Sequence, residues 1–271
     1  MNKIEAIKFL DNFSSFKSVD FIDGLERIVA ITLKIKKEHI KLLQKIRFAC
    51  NKLNYLEQVT LDFEKNIKMN ELYLNFDYVQ ELHIKNLKLN SIDVYSETIY
   101  SMHLDNVIIN KLDLNKLRLP ELNSLHIKNT IVSDEIVLTN NESLYLETLV
   151  FKDSDIDFDF SLIEWKNLKE ISFEWTNIRS LKISDAKNMQ YIGIENNKNI
   201  KNVIIENSIS NMLNLDNCPN IDEIKFDNSR IFEFYMNEGH ECKSLELFNF
   251  LRIKNKKPKL IQKSDISKQL F

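Results

Sequence analysis

Leu82-His83-Ile84-Lys85-Asn86, Met102-His103-Leu104-Asp105-Asn106 and Leu125-His126-Ile127-Lys128-Asn129 are three variants of one short unit. Each unit runs apolar, His, apolar, charged, Asn, and successive units lie 20 and 23 residues apart. Apolar residues at alternate positions mark a strand with one buried face. Recurrence at a fixed interval of this length marks a repeat array rather than an isolated sheet.

The unit extends in both directions along the chain. One series carries central residues 83, 103, 126, 150, 172, 193 and 214, with a last member near Tyr235. A second, interleaved series has centres at 73, 93, 113, 137, 159, 182, 204, 225 and 246, the member at 159 belonging to a less regular stretch, Phe158 to Phe160. Steps within each series are 20 to 24 residues, the length of one solenoid coil. Connections between units are too short for crossover helices, which excludes a doubly wound α/β sheet. The pattern predicts a solenoid of eight or nine coils, predominantly parallel β, with one strand of each coil on each of two sides.

A polar ladder accompanies the strands. Asn86, Asn106, Asn129, Asp153, Asn196 and Asn217 stand two positions after the second apolar residue, and Asn207, Asn228 and Asn249 do so in the other series. Strand parity predicts that they point inward and bond to the backbone of the turns. The chain has 32 asparagines but three glycines and three prolines, so asparagine is also the expected turn-former.

The stretches Asn167-Leu168-Lys169-Glu170-Ile171-Ser172-Phe173 and Met212-Leu213-Asn214-Leu215-Asp216-Asn217-Cys218-Pro219-Asn220-Ile221 resemble irregular leucine-rich repeats. The resemblance covers about Leu53 to Phe250 and implies protein binding through an exposed sheet surface, without catalysis. The asparagine follows the second apolar residue by two positions, whereas the leucine-rich pattern has three. A plain parallel β-helix with two strands per coil therefore stays open.

The ends differ from the repeats. Val29, Ile31, Leu33 and Ile35 alternate as in a strand, and Ile40, Leu43, Ile46 and Ala49/Cys50 follow a helical period. Residues 1–53 are read as an α/β cap and 54–250 as the solenoid. Residues 251–271 form a basic tail with Arg252, Lys254, Lys256, Lys257, Lys259, Lys263 and Lys268 against Asp265. The alternative for the helical segment is a docking helix for a partner. The alternative for the tail is a nucleic-acid contact, which it would make without aromatics to stack bases.

Composition bounds the function. Charged groups nearly cancel, 37 basic against 40 acidic, so there is no global field for nucleic acid. Cys50, Cys218 and Cys242 show neither a disulfide framework nor zinc-finger spacing, and residues 1–10 are no secretory signal. The expectation is a reduced, cytoplasmic protein. No phosphate-binding glycine loop, zinc-protease or nucleophile-elbow motif occurs, so no catalytic residue and no cofactor are expected.

Two surface groups are candidates for binding. His83, His103 and His126 share one outward position on successive coils, where the strand spacing of about 4.8 Å stacks them. That spacing permits a shared metal ion, but the sequence reading assigns the column to a binding patch and to no metal. Further along the same series, Glu170, Glu174, Glu195 and Asp216 are expected to cluster with Trp175 and Tyr191, an acidic and aromatic surface suited to a basic protein. The competing reading has Trp175 filling an irregular turn. The expected function is a protein-binding scaffold, adaptor or inhibitor, for instance of a toxin, a nuclease or a defence or virulence factor. The alternatives are a nucleic-acid-associated binder using the tail, or a carbohydrate-active β-helix enzyme.

Overall fold

A computed structural model describes residues 1–22, 25–138, 145–236, 241–242, 244–247 and 259–260. It shows a predominantly parallel β-solenoid of about 8 turns. The chain divides into two compact units, Met1–Leu146 and Glu147–Phe271.

In the first unit one sheet takes its strands in the order Ser14–Ile22, Leu25–Ile35, Gln58–Phe63, Glu81–Lys85, Ser101–Asp105 and Ser124–Lys128. The first two form an antiparallel hairpin, and every later pair is parallel. The other sheet is built from Lys68–Asn75, Lys88–Tyr95, Ile108–Asp113 and Ile131–Val137, again in parallel. In the second unit Thr148–Lys152, Glu170–Glu174, Met189–Glu195, Ile209–Leu215 and Arg230–Met236 pair in sequence. Its other sheet runs Asp159–Ile163, Ser180–Ser184, Asn202–Glu206, Glu223–Asp227 and Ser244–Leu247. These are the two interleaved series, one strand of each per coil.

The alternation read from the sequence is the burial pattern of the strands. Leu82, Ile84, Met102, Leu104, Leu125 and Ile127 are 1% exposed or less, as are Phe151, Phe173, Ile192, Ile194, Ile224 and Phe226. Equivalent inward residues stack from coil to coil, as Phe151 on Phe173, with ring centroids 5.2 Å apart and planes 4° apart. One member of the second series is shifted. Phe160 pairs with Leu181 and Leu162 with Ile183, so the outward centre is Ser161 rather than residue 159, and Phe158 lies outside the strand. Both Phe158-Asp159-Phe160 and Phe160-Ser161-Leu162 alternate, and only the register against the next coil separates them.

The asparagine ladder exists but faces the other way. Asn86, Asn106, Asn129, Asp153, Asn196, Asn207, Asn217 and Asn228 have φ between 46° and 61°, the left-handed region. Their side chains are exposed or half-buried. A left-handed residue breaks the two-residue parity of the strand, so the expected inward orientation fails there. The side chains bond to one another across coils: Asn106 Nδ2 donates to Asn86 Oδ1 at 2.6 Å, Asn217 to Asn196 at 2.7 Å and Asn228 to Asn207 at 2.8 Å. Asn249 lies outside the described residues.

The inward task falls to the next residue. Thr130, Ser154, Thr176, Asn197, Ser208 and Ser229 each follow a left-handed corner and are 6% exposed or less. Ser229 Oγ shares its one hydrogen between the carbonyls of Asp227 and Ile205, 2.8 and 3.0 Å away, and accepts from the Ser208 amide at 3.1 Å. Backbone groups that a turn would leave unpaired in the interior are thereby satisfied, each worth about 1–3 kcal/mol.

At the N-terminal end, helix Lys3–Asp11, not foreseen from the sequence, starts at a capping box in which Asn2 and Glu5 exchange bonds. The strand Leu25–Ile35 buries Ile31, Leu33 and Ile35. The expected second helix begins as a 3₁₀ turn, Lys37–Leu42, and continues as α-helix Leu43–Cys50 with Leu43, Ile46, Ala49 and Cys50 buried. Of the basic tail, only the short strand Lys259–Leu260, paired with Glu241–Cys242, is described. No helix among the described residues is long and apolar enough to cross a membrane.

Asn106→Gly should hold stability to within about 1 kcal/mol, because glycine adopts the left-handed corner freely. Asn106→Val should lose about 1–2 kcal/mol or more at the same corner. Urea denaturation of the two variants distinguishes a backbone role for this residue from a purely side-chain one.

Candidate functional site

The two groups of candidate residues fall in different compact units, and each is complete in its own. In the first unit, parallel register sets His83 opposite His103 and His103 opposite His126. The rings stack as expected, with centroids 4.2 and 4.7 Å apart and planes within 9°. Glu81, two residues before His83 on the same face, places Oε1 2.6 Å from His83 Nε2 and 3.4 Å from His103 Nε2. Gln58 Nε2 lies 3.1 Å from His83 Nε2, and Ser101 Oγ lies 3.0 Å from His103 Nε2. The sequence reading passed over Glu81, Gln58 and Ser101. Their signal was parity, since each stands two positions before the centre of its strand.

Burial between two other imidazoles lowers the His103 pKa from 6.5 to about 4. Desolvation is the first cause, the charges of His83 and His126 add to it, and Glu81 partly opposes it. The ring is therefore neutral at neutral pH, the state in which a stack of imidazoles is free of mutual repulsion.

In the second unit Glu170, Glu174, Tyr191 and Glu195 meet on neighbouring strands, with Trp175 and Asp216 at the corners that follow. Glu174 stands in register with Glu195, and Glu170 with Tyr191. Carboxylates directly opposite on neighbouring strands repel. Here each has a partner: Lys152 Nζ is 2.7 Å from Glu174 Oε2, and Tyr191 Oη donates to Glu195 Oε1 at 2.5 Å. Asp216 is exposed one coil further on, where its carbonyl accepts from the Asn196 amide at 3.0 Å.

Gly193 makes the Tyr191 geometry possible. A Cβ at position 193 would lie 2.5 Å from Tyr191 Cε1 and 2.7 Å from its hydroxyl, so the hydroxyl end of the phenol ring occupies the space that a side chain would need. Burial and the bond to Glu195 push the Tyr191 hydroxyl up to about 12.

Trp175 occupies the corner position that asparagine holds in most other coils, with φ 53° and its side chain 54% exposed. It does not fill a turn. A large residue in the left-handed region is held there by its surroundings, in this case by the bond from its own amide to the Glu195 carbonyl at 3.0 Å. The result is an exposed indole at the corner that follows Glu174.

The chain matches no protein-family model, and no curated protein is similar to it.

Two measurements check this geometry. Because the folded His103 pKa is depressed, the unfolded chain takes up the proton first as pH falls. Stability is therefore full above about 6.5 and declines toward about 4. Thermal melts in chelator from pH 7 to 5 should show a smaller decline for His103→Gln than for the wild type. Gly193→Ala should displace the Tyr191 ring, and the hydroxyl should then titrate closer to the ordinary tyrosine value of about 10 when followed by NMR.

Proposed function

We propose that this solenoid is a non-enzymatic protein-binding module that engages a basic partner through the face bearing Glu170, Glu174, Trp175, Tyr191, Glu195 and Asp216. The observation that carries the reading is Trp175. Its indole is 54% exposed and is presented by a strained corner where an asparagine would serve the fold as well. Exposed tryptophan on a rigid scaffold suits an interface anchor, and the surrounding carboxylates suit complementary charge and rapid association. Tyr191, pinned by Gly193 and Glu195, adds an aromatic surface that loses little entropy on binding.

A coil of 20 to 24 residues with leucine-type strands supports a kinship with leucine-rich repeats. The buried free thiols of Cys50 and Cys218 suit a reducing compartment such as the cytoplasm. Within this class, an inhibitor of a basic toxin or nuclease fits the patch better than a general scaffold, because the acids and the aromatics fall on the same successive coils.

The test is affinity capture from the native cell with wild type and with a Trp175→Ala/Glu195→Gln/Asp216→Asn variant whose fold is confirmed by circular dichroism. A basic protein should bind the wild type, lose affinity with rising salt, and bind the variant at least about thirtyfold more weakly, equivalent to about 2 kcal/mol. Equal recovery of the same proteins by both would refute the assignment of this face.

A further inference from the structure

We propose that Glu81, His83 and His103 form a binding site for a divalent transition ion of the zinc class. The site lies in the first compact unit and is independent of the acidic face. One ligand atom from each residue, Glu81 Oε1, His83 Nε2 and His103 Nε2, falls within 4.8 Å of the other two. Tetrahedral coordination with bonds of about 2.0–2.2 Å sets ligand atoms about 3.3 Å apart. Here the carboxylate oxygen is 2.6 Å from one nitrogen and 3.4 Å from the other. Entry of an ion requires the two rings, now 9° from parallel, to tilt toward each other so that both ring planes meet at the metal. The backbone already holds the residues in place, because His83 and His103 are register partners in a parallel ladder.

The polar contacts around His83 point the same way. Its Nε2 faces the Glu81 carboxylate at 2.6 Å and the Gln58 amide nitrogen at 3.1 Å. If the ring nitrogen carries hydrogen it serves the carboxylate and meets the amide donor. If it is bare it accepts from the amide and meets the carboxylate lone pairs. A cation between them accepts lone pairs from both the carboxylate and the imidazole and removes the conflict. Among the described residues no lysine or arginine pairs with Glu81, whose carboxylate faces only the ring nitrogens of His83 and His103 at this range. Two imidazoles select zinc, nickel or copper over calcium and magnesium, which prefer an all-oxygen shell. Three protein ligands leave a fourth position for water. His126 stacks on His103 at 4.7 Å but stands outside the ligand cluster. It supports the ring without binding the ion.

The experiment uses tag-free, chelator-stripped full-length protein titrated with zinc chloride by calorimetry, and with cobalt(II) followed by visible absorption. The wild type should bind one zinc in the micromolar range and give the intense visible bands of tetrahedral cobalt. His83→Gln, His103→Gln and Glu81→Gln should each weaken zinc binding by at least about tenfold and remove the cobalt bands, whereas His126→Gln should stay within about threefold. Circular dichroism of each variant shows that it folds, and three independent ligand substitutions keep the assignment testable if one does not. The proposal is overturned if zinc shows no binding below about 1 mM, if the ligand variants bind as well as the wild type, or if His126→Gln loses as much as His103→Gln.

Discussion

The structure depends on one constraint: each strand hydrogen-bonds, in parallel and in register, to its own equivalent one coil away. Glu81–Lys85 pairs with Ser101–Asp105 and that strand with Ser124–Lys128, residue for residue. The same holds for Glu170–Glu174 and Met189–Glu195. The coil length fixes the register, and the register fixes which side chains meet. A slip of one residue would move every inward leucine and isoleucine to the surface and every outward charge to the core. Strong specification of this kind follows wherever one face of a sheet is fully buried, and these strands bury theirs almost completely.

The corners meet a different demand. A coil must turn without leaving amide and carbonyl groups unpaired beside an apolar core. The chain does so with a left-handed residue followed by a small inward polar one. The left-handed residue keeps its amide in the ladder, as Asn207 does to the Asp227 carbonyl at 2.9 Å. Its neighbour Ser208 points inward and donates to Glu206 at 2.6 Å. Asparagine tolerates this conformation better than other residues with side chains, which explains how a chain with three glycines can build so many turns.

Much of this was legible in the residues. Strand positions followed from period-two alternation, and the histidine column followed from alternation together with the coil length. The same two rules set Glu170 beside Tyr191 and Glu174 beside Glu195, while Trp175 stands at a left-handed corner where alternation does not apply. Four features were not legible, each for a physical reason. The inward orientation assigned to Asn86 and its equivalents assumed strand dihedrals, and a single positive φ cancels parity. The strand at Phe160 and Leu162 lay in a stretch where two frames alternate equally well, and only pairing with Leu181 and Ile183 decides between them. The approach of Glu81 to His83 and His103 depends on side-chain rotamers, which periodicity does not encode, although parity had already set all three on one face. Gly193 gave no signal at all, because its role is to leave room for a ring two residues away.

An in-register ladder sets like beside like at strand spacing, and the chemistry of each column decides whether that is tolerable. Asparagine is self-complementary, with a donor and an acceptor in one group. A column of amides can therefore propagate, as Asn106 to Asn86 and Asn228 to Asn207 do. Neutral imidazoles can stack, and the low pKa of His103 keeps that ring neutral. Carboxylates can do neither. Where Glu174 meets Glu195, the repulsion is answered by groups outside the column, Lys152 for one and the Tyr191 hydroxyl for the other. Where Glu81 approaches two imidazoles, the three ligand atoms lie close enough together for one cation to draw them in. Columns that close on themselves need nothing more, and the others take a partner from outside the column, as Glu174 takes Lys152.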